Sequence, residues 1–304
     1  MRMPAPLVAV PAMLFLIMPA VSAQTVSAQT VSAATVMRVG ILDDPCIVLP
    51  PAPSEVTDYM KRMLLAKARG EAPPPPSAEG LEIYTRWQEK LKLADHAGLC
   101  RYRAANAALP AAGPNRILFM GDSITENWIR ERPDFFARGE RVDRGISGQT
   151  SAQMLARFQA DVVALKPSVV HILAGSNDIA GNGGPTTLSA IADNIRAMVQ
   201  LARANGIAVV LGTLPPARRF DWRPEIEPRP HITALNDWIR HYAESEGVTI
   251  ADYHALLDDG EGGLTSADAA DGVHPTAVAY ARMETVTEKA LAEAARQRRA
   301  TPSR

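Results

Sequence analysis

Residues 116–125 read Arg-Ile-Leu-Phe-Met-Gly-Asp-Ser-Ile-Thr, and this stretch decides the fold. The run through Met120 is short and apolar and stops at Gly121, as a buried strand does. A glycine, an acid and two hydroxyls follow at once, where such a strand would end. Three more apolar runs repeat the pattern. Residues 168–174 (Ser-Val-Val-His-Ile-Leu-Ala) end in Gly, residues 207–214 (Ile-Ala-Val-Val-Leu-Gly-Thr-Leu) end in two prolines, and residues 248–253 form the fourth run. Residues 141–144 make a weaker fifth.

Helical stretches separate these runs. Apolar residues at 188, 191, 195, 198, 199 and 202 fall on one helical face. A last helix over 275–296 puts Ala279, Met283, Val286 and Ala290 on one side. Near-continuous apolar strands alternating with amphipathic helices imply an α/β fold: a parallel sheet covered on both faces, with right-handed crossovers.

The chain has 304 residues, 32 Lys plus Arg against 33 Asp plus Glu, 47% apolar residues and two cysteines. At roughly 100–200 residues per domain, this is one large domain or a domain with an appendage. A net charge of −1 supplies no field for nucleic acid, so no nucleic-acid partner is expected. Neither a disulfide-dense scaffold nor metal-ligand spacing is present, so no metal site and no cofactor are expected. His96, His171, His231, His241 and His254 read as structural or surface residues, His171 as part of a buried strand.

Upstream, Arg2 precedes an apolar run over 7–21 that ends in Val-Ser-Ala. The run is shorter than a membrane span and carries Pro11 and Pro19, so residues 1–23 read as an export signal. Cleavage is expected after Ala23, with Ala28 and Ala33 as alternatives because Val-Ser-Ala recurs. The product is expected to be periplasmic or secreted, without a membrane span. An exported chain permits a disulfide between Cys46 and Cys100, with two free thiols as the alternative.

Residues 24–35 are a repetitive tether. Residues 36–113 read as a helical extension. One helix spans 54–70, with Val56, Tyr59, Met60, Met63 and Leu64 on one face. A proline spacer follows over 73–76, and then a second helical stretch over 79–108, with Gly98 as a candidate break and Ile83, Trp87, Leu91 and Leu93 as its stripe. The main domain covers 114–296, and 297–304 is a basic, frayed tail.

In an open parallel sheet, ligands bind beyond the carboxyl ends of the strands. Four polar segments fall at that edge: 121–125, 145–150 (Gly-Ile-Ser-Gly-Gln-Thr), 175–178 (Gly-Ser-Asn-Asp) and 271–275 (Asp-Gly-Val-His-Pro). Together they carry a hydroxyl, a glycine, an amide and a carboxylate–imidazole pair. A serine becomes a nucleophile when an imidazole takes its proton, and the imidazole needs a carboxylate to hold its other nitrogen. Ser123, His274 and Asp271 supply these groups. The Ser123 N–H, the Gly148 N–H and the Asn177 side-chain amide are candidate donors to an oxyanion. The segment 215–230 (Pro-Pro-Ala-Arg-Arg-Phe-Asp-Trp-Arg-Pro-Glu-Ile-Glu-Pro-Arg-Pro) follows a strand at the same edge. Arg218, Arg219, Phe220 and Trp222 are candidate substrate contacts there; a solvated, proline-stiffened loop is the alternative.

Met-Gly-Asp-Ser-Ile-Thr at 120–125, Arg-Gly-Ile-Ser-Gly-Gln-Thr at 144–150, Gly-Ser-Asn-Asp at 175–178 and Asp-Gly-Val-His-Pro at 271–275 resemble, in order, the four blocks of the SGNH/GDSL hydrolases. The resemblance covers about 115–295. It implies a flavodoxin-like three-layer α/β/α sandwich with a five-stranded sheet. It also implies a nucleophile at Ser123, a base at His274 oriented by Asp271, and oxyanion donors at Gly148 and Asn177. Asp122 is expected to shape its loop. Leu-Lys-Pro-Ser-Val-Val at 165–170 is similar to the branch with platelet-activating-factor acetylhydrolase-like proteins and carbohydrate acetylesterases. One departure is Ala279, where the family often has Gly. The resemblance implies an exported serine esterase on small acyl esters, favouring acetyl groups on carbohydrate, with a small-molecule or glycan ester as its partner. The alternatives are a lysophospholipase or thioesterase on longer chains, acyl transfer to a sugar hydroxyl, and a non-catalytic carbohydrate-binding or cell-envelope protein. The oligomeric state is open.

Overall fold

The computed structural model describes residues 41–69, 71 and 74–300, so the expected export signal and tether lie outside the described residues. The chain divides between Arg101 and Tyr102 into two compact units.

In the smaller unit, Asp44 caps a 3₁₀ turn at Pro45–Val48 by accepting from the Cys46 N–H. Helices α1 (Ser54–Ala68) and α2 (Ala78–Ala94) lie against each other. Val56 and Trp87 are buried, and the Trp87 indole donates to the Pro50 carbonyl at 2.9 Å. Leu93 does not belong to the stripe: it is 84% exposed. Two residues beyond Leu91, at 100° per residue, it points away from the buried side. The second helical stretch does break, but at Asp95, ahead of the candidate break at Gly98. The Asp95 carboxylate accepts from the Leu99 and Cys100 N–H groups, both at 2.8 Å, which ends the helix in favour of a turn. Cys46 and Cys100 form a disulfide.

The larger unit begins at Tyr102, ahead of the start read near 114 from the strand pattern. A short helix α3 (Arg103–Ala108) leads to the sheet. Its strands are β1 (Ile117–Gly121), β2 (Arg141–Gly145), β3 (Val169–Leu173), β4 (Ala208–Gly212) and β5 (Thr249–Ala251). All pair in parallel in the order β2-β1-β3-β4-β5. This is the flavodoxin-like order, whose switch point lies between β1 and β3. Every β3 residue is buried, as a central parallel strand covered on both faces requires.

One helical layer contains α4 (Ser123–Glu131), α5 (Pro133–Phe136), α10 (Tyr253–Leu257) and α11 (Ala277–Ala300). The other contains α6 (Ser151–Asp161), α8 (Leu188–Ala204) and α9 (Arg229–Glu246). A four-residue helix, α7 (Ser176–Ile179), follows β3. Under the first layer, Phe119 meets Trp128, Phe135 and Phe136 edge-on, and Trp128 stacks on Tyr280. His171 joins this cluster. Burial drives its pKa down to about 3, and its Nε2 lies 2.8 Å from the Tyr253 hydroxyl. The first residues of the basic tail continue α11, where the Arg298 Nε donates to the Gly206 carbonyl. Among the described residues, no helix is long and apolar enough to cross a membrane.

Candidate active site

The four polar segments converge at the carboxyl edge of the sheet. After β1, Asp122 caps α4 by accepting from the Ile124 N–H at 2.9 Å. Ser123 is therefore the first residue of a helix, where the N–H has no intrahelical acceptor and the dipole favours negative charge. The Ser123 Oγ lies 2.9 Å from the His274 Nε2, and the His274 Nδ1 lies 2.6 Å from the Asp271 Oδ2.

The Asp271–His274 pair is built by a local turn rather than a helical one. The Asp271 Oδ1 accepts from the N–H groups of Val273 and His274, so the carboxylate folds the backbone that presents its partner. Burial works to raise the Asp271 pKa. The His274 hydrogen bond and charge, with those two N–H groups, outweigh it and hold the carboxyl at about 2. A carboxylate that stays ionised keeps one tautomer of the imidazole in place, with Nε2 toward the hydroxyl. Tyr280 ties α11, just beyond this turn, to the nucleophile's helix: its hydroxyl donates to the Ile124 carbonyl at 2.6 Å.

Asp122 is fully buried. Burial raises its carboxyl to about 6 against the Ile124 N–H, the charge of His274 and the Asn177 amide. Its Oδ2 accepts from the Asn177 Nδ2 at 3.1 Å, while the Asn177 Oδ1 accepts from Asn182 at 2.6 Å. Both ends of the Asn177 amide are thus fixed, and a second amide hydrogen is left to donate.

The glycine loop after β2 is pinned along its length. Gly145 comes so close to α4 that a Cβ would collide with the Glu126 backbone nitrogen and the Asp122 carbonyl. Its N–H donates to Asp143, and Ile146 donates to the Gly121 carbonyl at 3.0 Å. The Ser147 N–H and hydroxyl both donate to Glu126. A turn from Ile146 to Gln149 places Gly148 at φ +79°, which glycine adopts without strain. Among the described residues, the Gly148 N–H meets no acceptor. Asp178 then holds the start of α6, accepting from the Ser151 N–H and hydroxyl at 2.8 and 2.6 Å.

The four candidate contacts on the 215–230 segment separate. Phe220 is 1% exposed and backs Trp222, to which it stacks at 5.0 Å, so it supports the opening from beneath. Trp222 is 37% exposed, with its ring 6.2 Å from that of His274. Arg218 pairs with Asp259 and Glu261, and Arg219 with Asp221. Both arginines line a depression beside Asp271, with Leu264 and Ser266.

Glu126 and Arg157 were not singled out from sequence. Arg157 and Asp161 carry a readable signal: they form an i, i+4 charged pair on the same helical stripe as Met154 and Phe158, and both are fully buried. Nothing in the pattern distinguishes Glu126 from a solvent-facing helix residue.

Residues 119–282 match the GDSL-like lipase/acylhydrolase family. The esterase TesA of Pseudomonas aeruginosa is 34% identical over 184 residues, covering 57% of this chain and 85% of that protein. An acetylxylan esterase of Geobacillus stearothermophilus is 35% identical over 88 residues, covering 21% of this chain and 40% of that one. The crystal structure of a GDSL-like lipase from Bacteroides thetaiotaomicron superposes with a TM-score of 0.63 at 40% identity, covering 65% of this chain and 98% of that one.

Proposed function

This chain belongs to the GDSL-like lipase/acylhydrolase family and is a carboxylic-ester hydrolase, and from that premise we propose that it is an exported serine esterase acting on acetyl esters of carbohydrate. The observation that carries the mechanism is the unbroken line of contacts from Ser123 through His274 to Asp271, at 2.9 and 2.6 Å. Ser123 attacks the ester carbonyl as His274 takes its proton. The N–H groups of Ser123 and Gly148 and the Asn177 amide hold the oxyanion. His274 returns the proton to the departing alcohol, and water then repeats the sequence on the acyl-enzyme. Asp271 keeps the imidazole in register throughout.

The choice of acetylated carbohydrate rests on the likeness to the Geobacillus acetylxylan esterase over part of its length. An exposed Trp222 beside His274 suits the apolar face of a sugar ring on the alcohol side. Export is supported by the basic start and short apolar run at the N-terminus, and by the Cys46–Cys100 disulfide, a bond typical of oxidising compartments.

The test is an activity profile over p-nitrophenyl esters from acetate to palmitate, run beside acetylated xylan. The reading expects the highest kcat/KM on acetate and release of acetate from the polymer. A maximum at long acyl chains with no release from xylan would replace it with the lysophospholipase or thioesterase reading.

A further inference from the structure

The glycine loop is held partly by side chains that precede the family-matched region. Tyr102 is buried, and its hydroxyl donates to the Gly145 carbonyl. The Arg144 guanidinium lies over the Tyr102 ring at 4.6 Å and donates through Nε to the Asn106 Oδ1 at 2.7 Å. The Asn106 Nδ2 donates to the Asp161 Oδ1 at 2.7 Å. Asp161 pairs with Arg157 at 3.0 Å, both side chains fully buried. Arg157 then reaches two of the three segments that carry the oxyanion donors. Its Nε donates to the Gln149 Oε1 at 2.6 Å, and its Nη2 to the Gly121 carbonyl at 3.1 Å.

We propose that Tyr102 and Asn106 are positioning residues for catalysis: they brace the 145–149 loop so that the Gly148 N–H stands at a fixed place relative to Ser123. The proposal rests on the serine esterase reading above. Gly121 is the common anchor, because its carbonyl accepts from both Ile146 and Arg157, two residues before Ser123. From the Gly145 carbonyl to Gly148 is only three residues, so movement at Tyr102 is passed along the turn to the donor. An oxyanion donor acts only if it is preorganised where charge develops, and a misplacement of about 1 Å can cost about 10²-fold in rate. The catalytic machinery therefore extends upstream of residue 119, into a segment with no chemical motif of its own.

The experiment uses the full chain with Tyr102→Phe, which keeps the ring under Arg144 and removes only the hydroxyl. For p-nitrophenyl acetate, kcat should fall roughly 5–20-fold with KM within about twofold, because the lost effect belongs to the transition state. Methylboronic acid, which forms a tetrahedral adduct on an active-site serine, should bind more weakly by the same factor. Inhibition by acetate should not change. A purely structural role would instead lower activity in step with the folded fraction and leave the boronate constant alone. If Tyr102→Phe does not fold, Asn106→Ser carries the same test from the other end of the network. Unchanged kcat and unchanged boronate binding overturn the brace while leaving the esterase reading intact. Parental activity that survives Ser123→Ala overturns both.

Discussion

Asp271 and His274 meet across three residues of chain, and the carboxylate that orients the imidazole also folds the turn that presents it. The loop at 145–150 is held very differently. Its anchors are Tyr102, Gly121, Glu126, Asp143 and Arg157, drawn from segments on either side of it in the chain. The base and its orienter are locally encoded, whereas the charge-stabilising half, like the meeting of Ser123 with His274, is an achievement of tertiary structure. The two halves should fail differently. Damage to the first stops proton transfer, while damage to the second weakens oxyanion stabilisation and leaves proton transfer in place.

The largest effects are expected where proton transfer from Ser123 is stopped. Ser123→Ala should lower hydrolysis of p-nitrophenyl acetate on the order of 10⁴-fold or more while the protein keeps its melting temperature. Asp271→Asn preserves the shape of the turn but releases the imidazole tautomer, and a loss of about 10³–10⁴-fold in kcat is expected. Equal turnover by either variant and the parent would remove the relay from the account.

In the tertiary half, Asn177→Ala takes away one oxyanion donor and leaves the nucleophile and base untouched. A fall of roughly 10²-fold in kcat, with KM little changed, is expected by steady-state kinetics. A change in KM alone would mean that Asn177 binds the ground state.

The smallest effect concerns stability. Burial raises the Asp143 carboxyl to about 7, with Glu126 adding to the rise and the Gly145 N–H, Arg144 and Arg157 opposing it. The folded protein therefore holds this proton more tightly than the unfolded chain. The stability it contributes is complete below about pH 4 and is lost as pH climbs through 7. Asp143→Asn should melt above the parent at pH 8, on the order of 1–3 kcal/mol more stable, and the gap should close towards pH 4. A gap independent of pH would show that the carboxyl is not the titrating group.

The division between local and tertiary structure also explains what was legible in the sequence. The strands were readable because buried parallel strands are short apolar runs, and 116–120, 168–174 and 207–214 each end at a glycine or proline. The face of α8 was readable because its buried residues, from Ile191 to Ala202, keep helical spacing. Ser123, Gly148, Asn177, Asp271 and His274 stood out because each lies in a short motif beside such an element.

Phe220 was grouped with Trp222 because neighbouring aromatics on a loop look alike, yet one is core and the other half-open. The break in the second helical stretch was legible only as Gly98, because a side chain that caps a turn, as Asp95 does, has the same appearance in sequence as one facing solvent. Tyr102 and Asn106 gave no sign of a role, since their partners lie roughly 40–60 residues away and only folding brings them together.

The central claim is that Ser123 is the nucleophile, activated through His274. A fluorophosphonate titration followed by intact-mass measurement and peptide mapping tests it most directly. The account predicts one adduct per chain, located on Ser123, with activity lost in proportion to labelling and with labelling greatly slowed in His274→Ala. Activity abolished with no adduct on Ser123, or full labelling of Ser123 with activity retained, would contradict it.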